Sequence, residues 1–545
     1  MSQLLKHRVK SRAGLVLILV LSNIQLSLLK AQTLEQEIIV QLEPGTDINQ
    51  VLTSSNSQRR QNPFLIGESR SLNSALDIFL VKCTKDTPRQ EIVQNLIRQT
   101  GVKYVQPNHR LKYRSKTPND PLFKQQWNLI KIGLEDVWQE TTGGLNYYGD
   151  TIVIGVLEAG LDIDHEDLSS ILWVNRLEIP NNNFDDDKNG YIDDYLGVSL
   201  DHGKDNHQED DRSHGTSVLG VLGAQGNNNV GVTGINWQVK VALVSGKTQS
   251  TAEAILAYTY FIDLRTRYNN TQGREGAYIV TTNSSFGMEG LFESDAPIFC
   301  EMFNAMGAVG ILNVGAAEND QGNADKFGDI PANCSSDDLI VVTNVDQDDM
   351  LAVAGFGKTT VDLAAPGQMI LSTANNNSYA QVSGTAFAAP LVAGGIALLH
   401  SHPSQDFADF VANDPQQANQ LLKTLILDNV TYAKDLKGKV LTEGRFNLKQ
   451  THEALSALYP IDATSSILVT SPNPVVQNTT IHFGEPVSKF KLELFDVSGR
   501  KILERDPPNY FSSSYTIDVA GLPSGIYFVV VHLPDEKLKG RLIKF

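Results

Sequence analysis

The chain has 545 residues, with 45 Lys+Arg against 62 Asp+Glu and a formal net charge of −17. That acidic balance excludes a nucleic-acid-binding surface, which needs a basic patch to neutralise phosphates. The length allows three or four domains at about 150 residues each, and three cysteines are too few for a disulfide framework.

Basic Lys6, Arg8, Lys10 and Arg12 precede an apolar run from Leu15 to Leu29 that ends near Ala31, the pattern of a cleaved signal peptide over 1–31. No later stretch reaches the ~18 apolar residues of a membrane span, so none is expected after signal removal. Residues 32–117 read as a small α+β unit, with strand-like EIIVQL, ALDIFLVK and VKYVQPN around a helix-like RQEIVQNLIRQTG. TPNDPLFKQQWNL has the turn residues of a linker. Over 118–459, β-branched runs such as TIVIGVL, VKVALVSG and DLIVVTNV alternate with Gly- and Ala-rich helical stretches, which predicts an α/β fold, a parallel sheet covered by helices on both faces. From 460 to 545, short strands with turns between them predict a small antiparallel β-sandwich.

Three segments of the central domain carry chemistry. TIVIGVLEAG is a buried strand ending in Glu158, which places a carboxylate at the edge of the sheet where α/β sites form. DDRSHGTSVLGVLG puts His214 at the start of a helix of small residues. QVSGTAFAAPLVAGGIALLH enters a second such helix through Ser383-Gly384-Thr385, with Ala386 in its first turn. The order acid, histidine, Gly-Thr-X at a helix start resembles the subtilisin-like serine peptidases, and the resemblance covers about residues 120–400, with HEDL at 165–168, AAEND at 316–320 and VDLAAPGQMILST at 361–373 in support.

The resemblance implies an acid that orients a His, a His that deprotonates a Ser, and an Asn that stabilises the oxyanion. In this chain those positions are Glu158, His214 and Asn319, and the nucleophile position is Ala386. A methyl group cannot attack a carbonyl, so the acyl-enzyme route is closed there. Glu158 is one methylene longer than the usual Asp, and the expected overreach of roughly 1–1.5 Å is enough to cost about a hundredfold. Ala159, Ser217 and Glu318 also depart from the family pattern. Ser383 and Thr385 match it, which gives them a backbone role rather than that of a substitute nucleophile.

FDDDKNGYIDD sets Asp185, Asp187, Asn189, the Tyr191 carbonyl and Asp193 at spacings of two around Gly190, an arrangement suited to a calcium ion. Leu196 stands where an EF-hand has its Glu, so that motif is excluded. The resemblance implies structural calcium and a peptide groove that includes Ser285, Phe286 and Gly287, open to strand addition. The acidic stretch 205–211 reads as a solvated face.

The unit at 32–117 resembles the propeptide of these peptidases, which packs on the peptidase and occupies its groove; without self-cleavage it is expected to stay attached. Cys83 lies in this unit, while Cys300 and Cys334 lie in the central domain, where they would pair only if their Cα atoms come within ~7 Å. The tail, with SPNP at 471–474, LFDVSGRKI at 494–502 and GLPSGIYFVVV at 521–531, resembles the C-terminal sorting domain of type IX secretion. That implies the type IX machinery as a partner and a secreted or cell-surface location. Three functions follow for the whole: a pseudopeptidase that binds peptide or protein, an active serine endopeptidase with another nucleophile, or a surface scaffold.

Overall fold

The structure, a computed structural model, describes residues 33–544 apart from 58–65, 84–88, 110–115, 202–204, 206, 208–211, 247–249, 462–468, 472, 474, 488, 508–511 and 534–536. The signal segment, most of the acidic stretch 205–211 and residues 247–249 lie outside the described residues. The chain divides into two compact units between residues 114 and 115.

In the first unit, strands β1 (Thr33–Leu42), β2 (Ile66–Asn73), β3 (Ile78–Cys83) and β4 (Val102–His109) form an antiparallel sheet in the order β2-β3-β1-β4. Ile38, Val40 and Leu42 alternate along β1 and bury one face against Ile48, Val51 and Leu52 of the helix Ile48–Ser57 and Ile92 and Leu96 of the helix Arg89–Leu96. Neither β2 nor the first helix was legible in the sequence, because IGESRSLN and INQVLTSSNS are too polar to show a period.

The second unit is built on a nine-stranded sheet. Its elements are β5 (Ile152–Glu158), β6 (Val198–Ser199), β7 (Lys240–Ser245), β8 (Tyr278–Ser284), β10 (Leu312–Ala316), β12 (Leu339–Val345), β13 (Leu363–Pro366), β16 (Thr431–Tyr432) and β17 (Gly444–Arg445). Two small antiparallel pairs flank it: β9 (Met288–Glu289) with β11 (Asp329–Ile330), and β14 (Ile370–Ala374) with β15 (Ser378–Val382). The order is β16-β17-β13-β12-β10-β8-β5-β7-β6, parallel except for β16 at the edge. The chain runs from β5 to β7 on one side and then returns to β8 on the other, which makes the β5/β8 junction the topological switch. β5, β8, β10 and β12 are buried on both faces, which is why they read as continuous apolar runs.

The helices Ser213–Gly223 and Thr385–Leu399 pack together on one face; the helices Thr251–Thr271 and Pro297–Ala308 cover the other. Cys300 and Cys334 form a disulfide with Cα atoms 5.1 Å apart. No helix among the described residues is long and apolar enough to cross a membrane.

The tail contains two facing antiparallel sheets. One is β18 (Val469–Ser471), β19 (Asn478–Val487) and β22 (Ser512–Asp518); the other is β20 (Lys491–Asp496), β21 (Lys501–Arg505), β23 (Gly525–His532) and β24 (Lys537–Lys544). Leu492, Leu494, Val529 and Val531 alternate into a core shared with Ile481 and Ile517. The tail belongs to the second unit, and Arg541 of β24 forms a buried ion pair with Asp150 beside the Tyr268 hydroxyl. A cavity of about 170 Å³ lies at this junction.

Candidate functional site

Three loops leave the carboxyl ends of the sheet next to the switch point. Glu158 closes β5, Ser285–Gly287 follow β8, and Ala317-Glu318-Asn319 follow β10.

His214 is the second residue of its helix, and the helix start lies directly against the end of β5. A Cβ on Gly215 would come 2.1 Å from the Gly160 carbonyl oxygen, so only glycine permits this approach. The result is a hydrogen bond of 2.8 Å between His214 Nδ1 and Glu158 Oε2. The glutamate does not overreach the imidazole as its length suggested. Its extra rotatable bond lets the carboxylate swing into bonding distance with one oxygen, leaving Oε1 buried without a hydrogen-bond partner among the described residues. The Glu158 side chain is 4% exposed and that of His214 38%, so a buried carboxyl group holds a ring that opens to solvent.

The second helix starts after Gly384, whose φ of 147° favours glycine. Asn319 Oδ1 accepts from the Thr385 N–H at 3.0 Å and from Thr385 Oγ1 at 3.0 Å, which pins the Asn at the helix start. The His214 and Phe387 rings lie 5.4 Å apart. These contacts bring Glu158, His214, Asn319 and Ala386 into one site, with Ala386 itself 5% exposed.

The hydroxyls around Ala386 are engaged. Thr385 Oγ1 also donates to the Ala317 carbonyl at 2.6 Å, Ser383 Oγ accepts from the Met369 N–H at 2.9 Å, and Ser285 Oγ donates to the Ala386 carbonyl at 2.8 Å. Ser285 in turn accepts from Asn283 Nδ2 at 2.8 Å. Of the three expected groove residues, Ser285 thus braces the helix from inside, Phe286 is half-buried against the sheet core, and Gly287 is exposed.

In the acidic loop, Glu178, Asp185 and Asp187 bring carboxylate oxygens within 4.8 Å of one another. Asp193 takes no part in that group: its carboxylate accepts from the Asn182 and Asn183 N–H groups and closes the loop instead. Asn189 Oδ1 accepts from the Tyr191 N–H, and the Tyr191 ring packs edge-on against Tyr260. Glu178 lies outside the spacing-of-two pattern, so only the fold reveals it. Its Oε1 accepts from the Asp186 and Asp187 N–H groups, while Oε2 is buried without a hydrogen-bond partner among the described residues. Burial raises both Glu178 and Asp187 above the usual carboxylate range. Asp194 was also missed. It is fully buried, and burial pushes it up to about 7 against hydrogen bonds from Tyr260, Asn189 and Asn175.

Residues 149–445 match the Subtilase family and residues 471–544 the Secretion system C-terminal sorting domain. The chain is 28% identical over 341 residues to Subtilisin-like protease 1 of Plasmodium berghei, covering 57% of this chain and 53% of that protein. It is 27% identical over 307 residues to the Major intracellular serine protease of Bacillus subtilis, covering 56% of this chain and 84% of that one. A solved protease structure from Pseudoalteromonas arctica aligns with 63% of this chain and 100% of its own, at a TM-score of 0.44 and 23% identity. The chain spans about half the length of the first curated relatives it matches. With the family match covering more than half of its residues and a sorting domain that directs type IX export to the cell surface or beyond, the chain belongs to the subtilase family as a secreted member.

Proposed function

We propose that this subtilase has lost peptide-bond cleavage and binds peptide or protein segments at the carboxyl edge of its sheet. The observation that carries this is Ala386: a methyl stands at the helix start served by His214 and Asn319, and the neighbouring hydroxyls of Ser285, Ser383 and Thr385 are engaged in bonds to the backbone. The remaining oxyanion donors and binding energy supply about 10³–10⁴ over the uncatalysed reaction, far short of a working peptidase. The exposed Gly287, just before β9, is where backbone groups for strand addition would stand.

The test is incubation of the natural chain, its N-terminal unit first removed by an added protease that is then inhibited, with casein and calcium, with immobilised casein fragments as a binding control. No cleavage and retention on the column are expected, and the secreted chain should keep its N-terminal unit by mass. Cleavage stopped by a serine-directed inhibitor would establish an active endopeptidase instead. A chain that neither cuts nor binds would be a scaffold.

Glu178, Asp185 and Asp187 are the residues that would hold calcium, since three oxygens converge and one buried oxygen of Glu178 lacks a partner among the described residues. Bound there, a hard cation would offset the burial and mutual repulsion of these acids. Calcium at a hundred times its Kd should stabilise the unit by about 3 kcal/mol, or about 3 °C in Tm for a domain of this size. A chelator should remove that increment, and Glu178→Ala should make the Tm insensitive to calcium.

A further inference from the structure

The amino ends of β5, β7 and β8 meet at the end of the sheet opposite the candidate site, roughly 20 Å away along a strand of seven residues. There the cavity of about 170 Å³ opens between the sheet and the tail, and Asn473 and Ile543 of the tail form part of its wall. None of Glu158, His214, Asn319 and Ala386 lines it.

The charges around this cavity are unbalanced. Lys240 is the first residue of β7, Arg176 lies three residues after Trp173, and Arg274 follows the helix Thr251–Thr271; all three line the cavity, with Arg176 and Arg274 exposed. Among the described residues none of the three has a carboxylate partner: Lys240 Nζ donates to the Ser170 carbonyl, and Arg274 Nε to the Thr271 carbonyl at 3.2 Å. The two acids on the wall are already engaged, Asp150 by Arg541 and the Tyr268 hydroxyl, and Glu275 by Arg267 at 3.3 Å. Burial, and after it the charge of Arg176, hold the Lys240 ammonium below the usual lysine range. In a chain with a net charge of −17, three cations left without acids around one cavity define a place for an anion.

The cations also narrow its chemistry. Lys240 is a point charge, each arginine is a planar fork, and the three come from separate segments, a set that matches the oxygens of a tetrahedral phosphate better than the single plane of a carboxylate. The volume is below the about 300–1,000 Å³ of sites for drug-sized ligands, which suits a phosphate on a small body, and Leu172, Trp173 and Ile543 supply apolar wall for that body.

We propose that this cavity is a second binding site, for a phosphate group on a small organic body held by Lys240, Arg176 and Arg274. Because the tail completes the wall, occupancy ties the tail to the domain that carries the sheet. The site is independent of peptide binding at the opposite end of the strands.

Calorimetric titration of the full chain with phenyl phosphate, inorganic phosphate and benzoate tests it. Phenyl phosphate should bind saturably at one site, and benzoate about tenfold or more weakly. The double variant Arg176→Gln/Arg274→Gln should weaken phenyl phosphate about tenfold or more, and Lys240→Met by a similar factor. The arginine variant changes exposed side chains only, so it decides the matter if Lys240→Met does not fold. Hydrogen exchange should show phenyl phosphate protecting amides in 172–177 and 541–543 and leaving 213–219 and 385–391 unchanged. Tighter binding of inorganic than of phenyl phosphate would keep the phosphate site and remove its organic body. No saturable binding, equal affinity for benzoate, unchanged affinity in the double arginine variant, or protection confined to other segments would overturn the proposal.

Discussion

Replacing one methyl hydrogen by a hydroxyl, in Ala386→Ser, should raise casein cleavage from background by about 10⁴-fold or more, because loss of the nucleophile alone costs about 10⁶ in kcat in serine peptidases. The rest of the machinery is in position. Glu158 already holds His214 at 2.8 Å, Asn319 is pinned to the Thr385 N–H, and Ser285 supports the carbonyl of residue 386. Because the longer acid makes a normal hydrogen bond, the single change should suffice without Glu158→Asp. The measurements are release of acid-soluble casein fragments and covalent labelling by a fluorophosphonate, with the natural chain as the blank. If Ala386→Ser stays inert and the double variant with Glu158→Asp cuts, the glutamate is the second block, and its partnerless Oε1 is where to look.

Opening the Cys300–Cys334 bridge should have the largest effect on stability. It closes a loop of 34 residues, for which chain entropy gives about 4 kcal/mol. Cys300 sits on the helix Pro297–Ala308, in the core layer formed with Phe299 and Phe303, so the bridge ties that layer to the segment leading into β12. The Cys300→Ser/Cys334→Ser variant should melt about 4 °C lower, and thiol reduction of the natural chain should reproduce the shift. An unchanged Tm would mean that the apolar layer holds the helix unaided.

What could be read from the sequence was what is encoded locally. His214 and Ala386 were legible because each opens a helix whose small residues are imposed by contact: a Cβ on Gly220 would strike Thr373 Oγ1 at 2.1 Å, and the helix from Thr385 to Leu399 is buried throughout. Strands β5, β8, β10 and β12 were legible because burial on both faces demands unbroken apolar runs. Glu178 was not, since it precedes the acidic loop outside the spacing of two, and only the folding back of that loop brings Asp185 and Asp187 to it. Asp193 stands apart from the converging acids for the converse reason. Spacing of two places oxygens in a row, but Asp193 lies at a positive φ of 51°, and its carboxylate closes the loop on Asn182 and Asn183. The reach of Glu158 was misjudged because side-chain length counts bonds and ignores rotamers.

The ion pair between Arg541 and Asp150 bears on how the exported chain presents itself. Its strand, β24, is also capped along its outer side by the bridge from Val475 to Lys544. In the four-stranded sheet of the tail, that leaves β21 as the margin to which, among the described residues, no further strand is attached. It bears alternating charges, with Lys501 and Glu504 tied to each other and to Glu493 and Lys491 of β20. A margin whose charges are already paired to the neighbouring strand resists the addition of a strand from another copy, so the tail can be exported at high local concentration without zipping edge to edge.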